Sequence, residues 1–111
     1  MINFEKQNQV EIISFSVSKI NALIVDEIRE SILKVFENSN MKVIIDLKGV
    51  EYVDSSGFGC FLAAMRAARN NYSVLKFANP EPGVNALFEV LNLHTVFQIY
   101  PDIDTCMRSF R

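Results

Sequence analysis

The chain has 111 residues, half of them hydrophobic and nine of them Phe, which fits one domain spanning residues 1–111 with a single two-layer core. Its 11 Lys and Arg are scattered among 13 Asp and Glu, for a net charge of −2. That balance argues against nucleic acid as a partner, because a phosphate-binding protein usually presents a basic face.

The N-terminus, Met1-Ile2-Asn3-Phe4-Glu5-Lys6, lacks a basic region followed by an apolar one, so no secretory signal is expected. The longest stretch free of strongly polar residues, Gly57 to Met65, is far short of the ~20 residues that span a bilayer. These features imply a cytoplasmic protein that does not insert into membranes. Cys60 and Cys106 share no metal-type or redox-type spacing, and a single His makes a zinc site improbable. Both cysteines read as small buried hydrophobes, and no metal or cofactor is expected.

In chain order, Phe4 to Gln7 and Val10 to Val17 read as a hairpin closed at Asn8-Gln9. Asn21 is placed to cap a helix over Ala22 to Glu37, with Ile24, Ile28, Ile32 and Val35 on its apolar face and Glu30–Lys34 as an i,i+4 pair. Val43-Ile44-Ile45-Asp46-Leu47 is a continuous apolar run, the pattern of a strand covered on both faces. After Gly49, a short extended stretch at Tyr52-Val53 leads to Asp54-Ser55-Ser56-Gly57, and a helix runs from about Ser56 to Arg69. Ser73 to Phe77 is a strand. Val84, Leu87, Phe88 and Leu91 form a helical stripe, and Val96 to Tyr100 is a last strand. Pro101-Asp102 opens a final helix with Ile103, Met107 and Phe110 on one face. The order β-β-α-β-α-β-α-β-α implies an α/β domain with a mixed sheet of four to five strands and about four helices, mostly on one face.

In such folds, chemistry gathers at the carboxyl ends of the strands. Asp46 ends the most buried strand, and Asp54, Ser55 and Ser56 stand at the following loop-to-helix junction, so two carboxylates and two hydroxyls are expected to converge on one helix N-terminus. A helix cap accounts for one Asp and one Ser. It does not call for Gly57-Phe58-Gly59, whose two glycines cost roughly 1 kcal/mol each in a helix. Close backbone approach would explain them. A phosphoryl group on Ser56 is tolerated at a helix N-terminus and adds about −1.5 to −2 charges beside Asp54, enough to repel a docked partner.

These residues also carry a resemblance. Ile44-Ile45-Asp46-Leu47 followed by Val53-Asp54-Ser55-Ser56-Gly57-Phe58-Gly59 resembles the signature of STAS-domain anti-sigma factor antagonists, and the element order fits nearly the whole chain. The resemblance implies a bacterial phosphoprotein that switches partners and regulates transcription. Its bare form binds an anti-sigma factor with serine kinase activity, phosphorylation at Ser56 releases it, and a serine phosphatase resets it. Asp46, Asp54, Ser55, Gly57, Phe58, Gly59 and Cys60 then form the partner-binding motif. Two positions depart from the family: Ser18-Lys19-Ile20-Asn21 lacks the Gly common before the first helix, and Phe58 stands where Leu is frequent.

Phe58, Phe61, Leu62 and Met65 read as a core stripe, and Gly57, Cys60, Ala64 and Ala67 as a stripe of small residues for close packing or a flat partner rim. An enzyme is not expected. Asp54 occupies the first Gly position of a nucleophile elbow, no Walker loop is present, and His94 has no evident route to Ser56. Stand-alone STAS domains also serve as subunits of lipid ABC or anion transport systems, which is the alternative function. Nothing in the sequence demands more than a monomer.

Overall fold

A computed structural model describes all 111 residues. The elements are strand β1 (Ile2–Gln7), β2 (Val10–Phe15), β3 (Lys19–Ile20), helix α1 (Val25–Val35), β4 (Lys42–Asp46), β5 (Tyr52–Val53), α2 (Ser55–Asn70), β6 (Val74–Ala78), α3 (Pro82–Val90), β7 (Ile99–Tyr100) and α4 (Ile103–Arg108). The main sheet runs β1-β2-β4-β6-β7, antiparallel at the first pair and parallel thereafter. Every parallel strand therefore delivers its C-terminal loop to the same rim. The β1–β2 turn is tight because Asn8 (φ 50°) and Gln9 (φ 67°) both take the left-handed conformation that a two-residue hairpin needs.

The apolar run of β4 is central, as its lack of alternation implies. Val43 and Ile45 face the larger core with α1, α2 and α3, and Ile44 faces a smaller one under α4. Three helices thus cover one face and a single short helix the other. The larger core is organised by rings. Phe77 on β6 lies 5.2 Å from Phe61, 5.8 Å from Phe88 and 4.7 Å from Phe97, so one strand side chain ties α2, α3 and the approach to β7 together. On the α4 side the ammonium of Lys76, only 6% exposed, bonds the carbonyl (3.1 Å) and hydroxyl (2.8 Å) of Ser109 and sits 4.3 Å from the Phe110 ring centroid. A cation against the last turn of α4 complements the negative end of that helix.

The structure corrects several details. The first helix begins at Val25, because the Asn21 carbonyl takes the Ile24 and Val25 amides and its side chain takes that of Leu23, which closes a separate turn. Glu30 and Lys34 make no ion pair; Arg29 reaches Asp26 at 3.2 Å instead. Leu91 is exposed rather than part of the α3 stripe. The last strand shrinks to Ile99–Tyr100, since the Val96 and Phe97 amides bond back to Leu93 around a 3-10 turn at Leu93–Thr95. One pairing was not anticipated. β3 lies parallel to β5, with Lys19 opposite Tyr52 and Ile20 opposite Val53.

Replacing Phe77 by Ala is expected to cost about 3–5 kcal/mol, since the cavity would open between three rings that cannot all collapse into it. Denaturant unfolding monitored by far-UV circular dichroism would register this as a large fall in midpoint at unchanged slope.

Candidate functional site at the N-terminus of the second helix

The site is built by the β3–β5 ribbon. Val53 and the Asp54 amide are held by pairing to Ile20, whose carbonyl takes the Asp54 N–H at 3.1 Å, and α2 starts one residue later. With its own backbone extended, Asp54 turns its carboxylate onto the new helix. Oδ1 accepts the Gly57 amide at 3.0 Å and the Ser56 hydroxyl at 2.5 Å. Oδ2 accepts the Ala22 amide at 3.2 Å, from a loop 32 residues away in sequence. The cap is thus Asp54, as the residue types imply, and the helix begins at Ser55. The Ser56 hydroxyl, reinforced by the Gly57 and Ala22 amides, holds the Asp54 carboxyl below its ordinary value of 3.8, so the group is an anion throughout the neutral range.

Ser55 is exposed and Ser56 half-buried at the same helix end. The neighbouring loop carries Leu23, 91% exposed, one residue beyond the Ala22 amide that Asp54 holds. A bare apolar side chain, a hydroxyl and a carboxylate therefore share one rim. Sequence reasoning missed Leu23 because it sits in a stretch that reads as continuous helix. Its position next to the apolar stripe, but off it, was the available signal.

Asp46 does not join this cluster. Its Oδ1 accepts the Lys48 amide and the Asn79 side-chain amide, both at 3.0 Å, so it shapes the turn after β4 and links it to the end of β6. In that turn Gly49 has φ +86° and donates its amide to Glu81 at 2.7 Å, a conformation suited to glycine. The expected convergence of two carboxylates thus resolves into two neighbouring networks on one rim.

Gly57, Phe58 and Cys60 are buried. A Cβ on Gly57 would lie 2.5 Å from Val53 Cγ1 and 3.1 Å from Ile20 Cγ2, so this glycine lets the ribbon press onto the helix. The small-residue stripe packs inside the fold, with Cys60 and Ala64 in the main core. Burial pushes the Cys60 and Cys106 thiols up to about 11, consistent with inert packing residues. Gly59 differs: nothing lies within 4 Å of its missing side chain, so its backbone is open to approach from outside. His94 is in the 3-10 turn, where Nδ1 faces the Phe88 carbonyl at 3.5 Å, while Ser56 has a carboxylate rather than an imidazole as its partner. No cluster of His, Cys, Asp or Glu could hold a metal ion, and no helix is long and apolar enough to cross a membrane.

The family model for the STAS domain matches residues 1–106. The chain belongs to the STAS-domain family. Among curated proteins it is similar to the anti-sigma-B factor antagonist of Staphylococcus aureus, 22% identical over 99 residues that cover 88% of this chain and 92% of the relative. Among solved structures, the anti-sigma-factor antagonist (STAS) domain protein from Planctomyces limnophilus superimposes with TM-score 0.90 at 21% identity, covering 97% of this chain and 96% of that one. The Bacillus cell fate determinant SpoIIAA in its phosphorylated form gives 0.73 at 18% identity, over 100% of both chains. This STAS domain therefore has the α/β architecture of the antagonists along its full length.

Three outcomes follow from the site. Gly57→Ala is expected to lower the melting temperature, because overpacking costs about 1–3 kcal/mol and exceeds the ~1 kcal/mol gained in helix propensity. Gly59→Ala should raise it, through a gain of up to ~1 kcal/mol in stability, and differential scanning calorimetry of the two variants separates the cases. For Asp54 the sign is that of a depressed carboxylate: its contribution is complete above the ordinary value of 3.8 and is lost as pH falls through the lower folded value. The gap in melting temperature between the parent and Asp54→Asn should be constant from neutral pH down to about 5 and shrink below about 4.

Proposed function

We propose that this STAS domain is an anti-sigma factor antagonist that switches partners through phosphorylation of Ser56. The observation that carries the reading is the Ser56 hydroxyl, held on Asp54 at the N-terminus of α2 beside the exposed Leu23. In the bare form the rim formed by Leu23, Asp54, Ser55, Ser56 and Gly59 docks an anti-sigma factor that is also a serine kinase. Leu23 supplies the apolar anchor, and the open backbone at Gly59 allows close contact. Gly57, Phe58 and Cys60 act from beneath by fixing the helix, and Asp46 acts through the adjoining turn. The kinase brings ATP to Ser56 Oγ, which Asp54 orients by accepting its proton in a hydrogen bond.

Phosphorylation replaces that donated hydrogen bond with about −1.5 to −2 charges next to an ionised carboxylate. Helix amides tolerate the phosphate, but a partner seated over the rim meets concentrated negative charge and loses its apolar fit. A serine phosphatase restores the bare form. The regulator works in the cytoplasm and has no turnover of its own.

Isothermal titration with the cognate anti-sigma kinase tests the reading. Ser56→Ala should bind as the parent does and take up no phosphate. Ser56→Asp should weaken binding about tenfold or more, given the cost of like charge at an interface. Ser55→Ala should still be phosphorylated. Equal affinity of both Ser56 variants would sink the mechanism, and an unmodified Ser56 co-purifying with membrane transporter subunits would move the function to a transport system.

A further inference from the structure

The β1 edge of the sheet is uncovered over six residues, whereas the opposite edge, β7, spans only two. The hairpin register fixes which groups face outward. Gln7 pairs with Val10 across the two-residue turn, and the Ser16 amide bonds the Met1 carbonyl at 2.9 Å. Odd-numbered residues of β1 thus spend their backbone groups on β2, and Ile2, Phe4 and Lys6 turn theirs outward. At the centre of this edge stands Phe4, opposite Ile13 in the register and 45% exposed. Such an edge is a template for another strand.

We propose that β1 is a self-association surface on which a second copy of this chain pairs antiparallel, centred on Phe4. In that register Phe4 of each copy lies against Phe4 of the other, Ile2 faces Lys6, and Asn3 faces Glu5, so no like charges meet. All six outward backbone groups of each copy find partners. Shifting the centre by one or two residues toward the turn sets Glu5 against Glu5 or Lys6 against Lys6. The two charges therefore disfavour registers shifted toward the turn rather than block the edge, and a centre on Asn3 would leave the outward groups of Lys6 unpaired. A second copy fits better than an unrelated strand because this complementarity is with the sequence of β1 itself. The contact is one strand wide, below the size of a standard stable interface, so a weak, concentration-dependent dimer is the outcome.

Sedimentation equilibrium of the full chain over a wide concentration range tests this, with circular dichroism melts to verify each variant's fold. A reversible dimer is expected. Asn3→Lys creates two Lys–Glu cross-strand pairs per dimer and should tighten it roughly two- to thirtyfold, and Asn3→Glu should weaken it by a similar factor. Phe4→Pro removes an outward amide that β2 does not use and should abolish the dimer while the hairpin persists. A monomer at every concentration, or a dimer indifferent to all three substitutions, would overturn the proposal.

Discussion

The carboxylate of Asp54 joins three pieces of chain: the loop before α1 through Ala22, the first turn of α2 through Gly57, and the hydroxyl of Ser56. It can reach all three because the β3–β5 ribbon delivers it in extended conformation directly above the helix start. The ribbon lies so close only because Gly57 has no side chain. A helix that gives up propensity in its first turn gains a close, fixed approach of the β3–β5 ribbon, and the position of the serine follows from that approach. The geometry of this rim thus depends on a steric vacancy as much as on any polar group.

Behind the rim, the aromatic packing explains why the helix end holds still. Phe58 lies edge-on to Phe88 at 5.2 Å and to Phe61 at 6.3 Å, and Phe61 continues to Phe77 on β6. The far end of α2 is tied as well, where the Asn71 side chain donates to the Phe36 carbonyl at the end of α1. A charge added at Ser56 therefore meets a helix anchored along its length, so its first effect falls on whatever sits above the rim. The loop of Ala22 and Leu23 is attached to the Asp54 carboxylate by a single amide.

The second face of the sheet has a different character. It is covered by one short helix whose last turn is fastened by a buried ammonium with no carboxylate beside it. Lys76 was not legible as a structural residue, because on β6 it reads as the polar member of an alternating strand. Only the docking of α4 gives it the Ser109 oxygens and the Phe110 ring.

By itself the sequence determined the order of the helices and main-sheet strands, the central strand Val43 to Asp46, the hairpin turn, the cap of α2 and the serine-bearing junction. These are local properties: periodicity, turn chemistry and capping act within a few residues, and the family motif falls within one short stretch of chain. The tertiary structure alone decided which of the motif residues face solvent. Gly57 and Gly59 are equivalent as letters, yet one is pressed by Val53 and Ile20 and the other is open. Asp46 and Asp54 both follow strands near the same rim, yet their hydrogen bonds go to different loops. The exposure of Leu23 and the pairing of Lys19-Ile20 with Tyr52-Val53 depend on segments more than thirty residues apart, and no local pattern encodes which distant backbone will arrive beside them.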